Sequence, residues 1–386
     1  MPDLIIKPEA TSGNKLILKD QAGGAVLTTA DSGAEINNAT NITASGNVTV
    51  AGDLVPATPL SNRNVIINGG FDVWQRGTTF TSPASTDFTA DRWAYLENGT
   101  MTHTITRSTD VPTQAQSGYK SNYSMKIDCT TADSSIASDV YNFVVQKIEG
   151  YNIQPLQGNT VTLSFWIKST KTGTQTICWR NSSLDMNMVK EYTINTTNTW
   201  EKKEITWTFD NSGGTWNYTN GIGGWLCWNL AHGTNFHTTK DAWQSTSGVM
   251  STSSAVNNTD STSNDIYLAQ VQLELGSSAT PFEHRSYADE LLRCQRYYTE
   301  HDAGSYVLAY LNPIKGSTGA SDEYRRYMFY YPVRMRANPS VTATGDPGSI
   351  SINNPANKEY AHCAGDQGGD EGTVVNLRTV KANAEL

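Results

Sequence analysis

Clustered positive charge, paired cysteines and long apolar runs are all missing from this sequence, and each absence excludes a class of protein. The net charge is −9, so a nucleic-acid partner is not expected, because phosphate contacts require clustered Lys and Arg. The five cysteines include no CxxC pair and are expected to be reduced and buried. No apolar run is long enough for a membrane span or a signal peptide, so we expect assembly in a cytoplasm without membrane insertion.

Motifs of known catalytic sites are missing as well. The sequence contains no G-x-S-x-G nucleophile elbow, no H-E-x-x-H zinc motif, no P-loop and no dinucleotide fingerprint. We interpret His232 and His237 as loop residues rather than metal ligands. A carboxylate pair for glycoside hydrolysis stays open, because the separation that defines such a pair is spatial. The candidate carboxylates, for which turn and cap roles are the ordinary alternative, are Asp72, Asp87, Asp91 and Glu97.

What the sequence does contain is typical of many strands joined by polar turns. Only 17% of the residues are charged and 37% are hydrophobic, while Thr, Ser, Asn and 31 Gly make up much of the remainder. The 10 Trp and 18 Tyr argue against a disordered chain, which could not be so rich in aromatic residues. This composition predicts an all-β protein.

Alternation of apolar and polar residues predicts a jelly-roll sandwich over residues 61–285. An opening strand is expected at Val65–Phe71, bent at Asn68-Gly69-Gly70, and a closing strand at Ile266–Leu275, with a bulge near Ala269. The remaining predicted strands are Met101–Arg107, Ser124–Cys129, Tyr141–Ile148, Thr160–Lys168, Gln175–Arg180, Val189–Ile194, Trp200–Phe209 and Gly224–Leu230.

The segment before the sandwich has short strand signals and a repeat. Within residues 1–34, Leu16–Leu27 is predicted to form a hairpin, which needs a partner surface because isolated hairpins are marginal in water. Residues 35–60 contain a six-residue unit twice, Asn41–Gly46 and Asn47–Gly52. Such a unit cannot bury its apolar face within one chain, so an intertwined oligomeric β stalk is predicted, with a flexible linker as the alternative.

The segment after the sandwich, residues 286–386, is predicted to hold a short helix and a small β domain. Ser286–Asp289 is a capping-box type start, and Leu291, Leu292 and Gln295 follow at helical spacing. Strand signals then resume. They lie at Ser305–Leu311, Tyr324–Val333 and Ser340–Ala343.

Sugar binding is the sharpest functional hypothesis from the residues alone. Sugars present flat C–H faces that pack on aromatic rings, and polar groups then fix their orientation. The loops between Trp216 and Trp243 are rich in such residues, whereas Trp225 and Trp228 have apolar neighbours that favour the core. The candidate sugar-binding residues are Trp216, Tyr218, Trp243 and His237, with a core or subunit-interface role as the alternative for each.

Three patterns in order along the chain resemble phage tail-fibre and virion-appendage proteins over residues 61–300. They are NxxINGxFxxWQRGTxF from Asn64 to Phe80, TADRW from Thr89 to Trp93, and QLExGxxATPFExRSYxxELxxCQRYY from Gln272 to Tyr298. The N-terminal KLILKDQAGGAVLTTADSG is also similar to the start of fibre proteins that attach by that end.

The resemblance implies a homotrimeric fibre of the virion, assembled in the host cytoplasm, whose residues 1–34 dock on a phage tail or capsid protein. It also implies a sandwich similar to carbohydrate-binding modules, recognition of a host-surface glycan, and no catalysis. Two alternatives stay open: an enzyme that degrades capsular polysaccharide, and a purely structural head or tail decoration fibre.

A structural calcium is a further expectation, because sandwiches of this kind hold one near the first and last strands. Asp72 and Asp265 are its candidate ligands, together with backbone carbonyls. Asp366–Gly372 resembles a calcium loop only loosely, and an acidic loop is the alternative.

The arginines of the first signature are expected to be structural. Arg76 or Arg92 is predicted to pair with Asp91 and so to pin the first loop.

Overall fold

The computed structural model describes residues 17–19, 25–30, 33–35, 61–209, 213–302, 308–311, 313–314, 323–324, 326–346, 349–353, 357–366 and 375–386. Contacts divide the chain into two compact units, Met1–Ala57 and Thr58–Leu386. In the first unit, strands β1 (Ile17–Lys19), β2 (Ala25–Ala30) and β3 (Gly33–Glu35) form an antiparallel sheet in that order. Leu18 pairs with Leu27, which confirms the predicted hairpin. The predicted stalk repeats lie outside the described residues.

The second unit begins with a two-sheet sandwich. Its strands are β4 (Thr79–Thr81), β5 (Trp93–Glu97), β6 (Thr102–Ser108), β7 (Ser124–Thr131), β8 (Tyr141–Glu149), β9 (Thr160–Ser169), β10 (Gly173–Asn181), β11 (Asn187–Ile194), β12 (Glu201–Thr208), β13 (Ile222–His232), β14 (Trp243–Gln244) and β15 (Asp265–Leu275). One sheet has the order β14-β11-β10-β13-β8-β5 and the other β12-β9-β15-β7-β6-β4. The short helices α1 (Gln114–Ser117) and α2 (Gly150–Ile153) lie in the connections. The all-β prediction is therefore confirmed.

The core lies between the two sheets, because alternate side chains of each strand point toward it. In β9 the side chains of Val161, Leu163 and Phe165 are fully buried. Phe165 packs edge-on against Trp228 of the other sheet, with ring centroids 5.6 Å apart. Each large apolar side chain buried in this way contributes roughly 1.5–3 kcal/mol to folding.

The closing strand and the eight further strands predicted for the sandwich coincide with observed strands to within a few residues. The bulge is also confirmed, because the pairing register of β15 shifts between Ala269 and Gln272, and Gln270 has φ 49°. Strands β4, β5 and β14 had no clear sequence signal.

The predicted opening strand is wrong, because residues 64–71 form no strand. This segment instead runs beside β15 through two backbone bonds, Val65 N to Leu273 O and Val271 N to Gly69 O, both at 2.9 Å, and through the side chain of Asn64. Asn64 Nδ2 donates to Val271 O at 3.0 Å, and Asn64 Oδ1 accepts from Leu273 N at 3.1 Å. The bend has positive φ at Asn68 and Phe71 rather than at the glycines. Gly69 is required for a different reason: a Cβ there would lie 2.1 Å from Val271 O.

The C-terminal part of the second unit starts with helix α3 (Tyr287–Gln295), whose N-cap Ser286 accepts from Asp289 N, as predicted. Its strands are β16 (Tyr298–Asp302), β17 (Ala309–Leu311), β18 (Pro313–Ile314), β19 (Glu323–Tyr324), β20 (Arg326–Tyr330), β21 (Ser340–Asp346), β22 (Ser349–Asn353), β23 (Tyr360–Asp366) and β24 (Val375–Asn383). Strand β24 pairs with β16, β17 and β21, and β23 lies between β20 and β22. The predicted domain boundary between residues 285 and 286 stays a prediction. Contacts group the sandwich and the C-terminal part in one compact unit.

Buried charges join the C-terminal part to the sandwich. Arg92 and Arg76 both bind the carboxylate of Glu385, and the Arg76 bond is 3.1 Å long. The guanidinium of Arg92 lies 3.6 Å from the ring centre of Tyr297, and that of Arg76 lies 3.5 Å from the ring centre of Tyr298. These contacts bring the loop around β5 and the end of β24 together.

The predicted pairing of Asp91 with an arginine is confirmed for Arg76, but the two groups form one long ion pair and not a bidentate one. Asp91 accepts hydrogen bonds from the backbone N and the side-chain amide of Gln75, both at 2.6 Å, while Arg76 lies 4.0 Å from it. Arg92 turns to Glu385 instead, a partner 293 residues away in sequence.

All five cysteines are free and buried, as expected. Among the residues that the structure describes, no helix has the length and apolar character needed to cross a membrane.

A hydrogen-bonded chain with a neutral histidine lies in the core. Asn142 Nδ2 donates to the Tyr95 hydroxyl at 2.7 Å, and this hydroxyl lies 2.8 Å from His103 Nδ1. The Tyr95 hydroxyl thus links the Asn142 amide to the His103 ring within the core. Burial lowers the pKa of His103 to about 4.

The first prediction concerns the buried charges. Glu385→Gln removes the anion between two guanidinium groups, and we expect the free energy of unfolding to fall by about 3 kcal/mol. Urea unfolding measures this. The matched control is Glu204→Gln in the exposed pair Lys202–Glu204, which is expected to cost less than about 1 kcal/mol. Equal effects of the two substitutions would contradict a structural role for Glu385.

The second prediction concerns pH. Because the pKa of His103 is lower in the folded than in the unfolded state, the unfolded chain binds the extra proton between about pH 6.5 and about pH 4. The contribution of neutral His103 is thus complete above pH 6.5 and is lost as the pH falls to 4. Between pH 7 and 4.5 the wild type should lose about 2 kcal/mol more stability than His103→Gln in urea unfolding. Equal losses in both proteins would show that His103 does not titrate in this way.

Candidate functional site

An open cleft of about 680 Å³ lies where the turn after β10 meets the segment leading into β13. Strands β10 and β13 are neighbours in one sheet, and Asn181 pairs with Gly224, so the two segments meet at the same end of that sheet. No lining residue is charged. The lining residues are Ser182, Ser183, Thr215, Trp216, Asn217, Tyr218, Thr219 and Ile222.

Trp216 is held rigidly by a second tryptophan. The rings of Trp216 and Trp243 are 6.1 Å apart at 71°, and both pack against the buried ring of Phe209. Each indole N–H is used within the protein: Trp216 donates to Gly213 O at 2.8 Å, and Trp243 donates to Thr208 O at 2.9 Å. Trp216 therefore offers a fixed ring surface, and Trp243 supports it without lining the cleft.

Tyr218 and Asn217 provide the polar donors of the cleft. The Tyr218 side chain is half-buried and, within the described ranges, has no hydrogen-bond partner. Partial burial raises the pKa of Tyr218, which keeps its hydroxyl protonated. Asn217 Oδ1 accepts from the backbone N and the hydroxyl of Thr219, so its amide N–H groups are the part of the side chain left for further bonds.

The cleft is preformed, because the loop that carries Trp216 is bonded to the turn after β10. Asp185 Oδ1 accepts from Thr215 N at 3.0 Å, and Ser182 Oγ donates to Thr215 O at 2.7 Å. Asn181 Nδ2 also donates to Thr215 O, at 3.0 Å. A ligand would thus bind with little cost in ordering the loop.

His237 lies elsewhere in the molecule. It contacts His232 O at 3.3 Å and lines a small cavity of about 40 Å³ together with Asn229 and Ser251. Burial lowers the pKa of His232 to about 3, so this ring is neutral. The structure therefore brings Trp216, Tyr218 and Trp243 together and does not bring His237 to them.

The two candidate calcium ligands are not brought together either. Asp72 accepts from Asn122 Nδ2 at 3.3 Å. Asp265, at the start of β15, is 3.1 Å from the Lys126 ammonium and pairs with Asp128 on β7. In the described part of the chain, no group of three or more His, Cys, Asp or Glu side chains is placed to hold a metal ion.

The other candidate carboxylates have structural contacts. Asp87 accepts from Ala84 N at 2.8 Å in a turn, and Asp91 is bound by Gln75. The contacts of Asp87 and Asp91 agree with the ordinary interpretation of turn and cap roles. Glu97 bonds to Ser85 Oγ only through its backbone N, and its buried Oε2 has no hydrogen-bond partner among the described residues.

Sequence reasoning missed the polar wall formed by Ser182, Ser183 and Thr215. The two serines follow a strand and read as an ordinary turn, and Thr215 lies more than thirty residues away. Knowing that β10 pairs with β13 would have placed these residues together, but neither strand's sequence reveals its partner.

No protein-family model and no curated protein sequence matches this chain. Among solved structures it is similar to the enzymatically active domain of tailspike protein 4 of bacteriophage CBA120, with 15% identity over 55% of this chain and 21% of that one, and a TM-score of 0.29. It is also similar to a family 4 carbohydrate-binding module (13% identity, 54% of this chain and 98% of that one, TM-score 0.29). A third similar structure is the family 61 module TmCBM61 in complex with β-1,4-galactotriose. The identity is 10% over 56% of this chain and 100% of that one, and the TM-score is 0.27. With TM-scores this low, the likenesses carry no inference about ligand or activity.

Proposed function

We propose that this chain is a non-catalytic fibre protein of a phage particle that binds a host-surface glycan in the cleft of Trp216 and Tyr218. The cleft itself carries the proposal. It is open and large enough for a saccharide, its aromatic wall is fixed, and its other lining groups are small, polar and uncharged. Few other ligand classes combine flat apolar faces with many hydroxyl groups as sugars do.

The contacts support a specific mode of binding. The apolar face of a sugar ring packs against Trp216, and its hydroxyl groups bond to the Tyr218 hydroxyl and the Asn217 amide. A single shallow cleft of this kind is expected to bind with about millimolar affinity. In a trimer, three linked clefts raise the avidity by roughly 10²–10⁴.

The fibre role is supported by the three signature patterns and by the chain's organisation. Residues 1–57 form a compact unit separate from Thr58–Leu386, as expected for an attachment segment ahead of a binding unit. In this proposal residues 1–34 dock on a tail or capsid protein, residues 35–60 hold the trimer together, and the protein is located in the virion.

The third prediction tests the cleft. The wild type is screened on an array of bacterial surface polysaccharides, and binding to the best glycan is measured by calorimetry. Tyr218→Ala removes a ring and a hydroxyl from the cleft and is expected to weaken binding about 10-fold. The matched control is Tyr310→Ala, an exposed tyrosine of the C-terminal part, which should leave binding unchanged.

The same experiment separates the alternatives. Release of reducing ends from the bound glycan would identify a polysaccharide-degrading enzyme. Absence of binding to the whole array would leave a purely structural fibre as the better account. Equal binding by Tyr218→Ala and wild type would contradict the cleft as the site and place the glycan elsewhere on the protein.

The fourth prediction tests the oligomer. Light scattering of the intact chain should give a trimer, whereas a chain that starts at Ser61 should be a monomer, because it lacks the predicted stalk. Circular dichroism should show the same β content in the second unit of both proteins. A monomer in both samples would exclude the fibre architecture.

A further inference from the structure

A cavity of about 250 Å³ beside α2 has a lining that differs from that of the cleft. Tyr151 and Asn152 of α2 line it, together with Arg63 and Arg293, and Leu156 and Leu275 give it an apolar floor. The lining includes two arginines and no Asp or Glu, although the whole chain carries a net charge of −9. The charged side chains that line the cavity are therefore both cationic.

Arg293 of α3 has no carboxylate partner in the described part of the chain. Its Nη2 donates to Asn62 Oδ1 at 2.8 Å. The acidic residues one turn earlier on the helix are engaged elsewhere: Asp289 accepts from the Ser286 hydroxyl at 2.6 Å, and Glu290 accepts from Arg285 at 3.3 Å. A guanidinium has five N–H donors in a planar fork, so most of those of Arg293 are available to a ligand.

Arg63 contributes less to the field of the cavity. It lies 3.6 Å from the buried carboxylate of Glu274, and its Nη2 donates to Pro281 O at 2.7 Å. Because the charge of Arg63 is offset by Glu274, Arg293 is the cation best placed to bind an anion here.

Tyr151 supplies an aromatic surface next to this cation. Its side chain is 55% exposed, so the ring is open to a ligand. The backbone is held because Tyr151 N donates to Thr219 O at 3.0 Å. Thr219 also lines the cleft, so the cavity and the cleft are adjacent.

We propose that this cavity binds the carboxylate-bearing ring of an acidic saccharide of the uronic-acid type. Arg293 receives the carboxylate through two parallel N–H bonds, and the Tyr151 ring packs on the sugar face. The proposal rests on the lining of the cavity and does not depend on binding in the cleft.

The test uses the full-length chain with two probes, galacturonate and mannuronate tetrasaccharides, each compared with its fully methyl-esterified form. The ester keeps the ring and removes the charge. We expect the wild type to bind at least one acid about 10-fold or more tightly than its ester in calorimetry or saturation-transfer NMR, and this preference to decrease with added salt. Arg293→Gln should abolish the preference, and Arg293→Lys should retain part of it.

Two controls keep the outcomes separate. Tyr218→Ala, in the cleft, should leave the acid-over-ester preference unchanged. The cleft proposal can therefore fail while the cavity proposal holds, and the two results can be told apart. Circular dichroism and the unfolding midpoint should show that Arg293→Gln is folded. Equal binding of acid and ester by the wild type, no binding of either acid, or a preference that survives in Arg293→Gln would each overturn the proposal.

Discussion

The carboxylate of Glu385, between the guanidinium groups of Arg76 and Arg92, is the interaction on which the second unit depends. Arg92 is only 1% exposed, and a guanidinium out of water is tolerated only when it is paired and hydrogen-bonded. Both arginines stack on consecutive tyrosines, Tyr297 and Tyr298, at the end of α3 and the start of β16. One buried anion therefore fixes the loop before β5, the helix and the last strand together.

The signature residues belong to the same junction. The side chain of Asn64 bonds to β15, and that of Asn68 bonds to Val73 and to Asp91 O. Arg285 donates to the backbone of Asn64 and Ile66 and pairs with Glu283. The resemblance to fibre proteins thus rests on residues that hold the unit together. The cleft residues lie between the two halves of the signature and take no part in this junction.

Local patterns predicted the strands and α3, because alternation and capping depend on neighbours in sequence. The wrong predictions of side-chain partners share one cause, which is that the observed partner lies far away in the sequence. Arg92 binds Glu385, 293 residues away, rather than its neighbour Asp91. Asp72 and Asp265 are predicted as ligands of one calcium from strand order alone, yet Asp72 bonds to Asn122 and Asp265 pairs with Lys126. The cleft could be predicted only in part: its aromatic residues stand out, whereas its polar wall depends on which strands pair.

The proposed cleft and cavity differ in the charges that line them. The cleft has no charged lining residue, so affinity there must come from ring packing and neutral hydrogen bonds. The neighbouring cavity has arginines and no acidic residue. At physiological salt, charges separated by more than about 8 Å are largely screened. Most of the charges behind the net −9 therefore repel an anionic ligand in the cavity only weakly. In the two proposals, the placement of Arg293 rather than the net charge therefore distinguishes the cavity from the cleft.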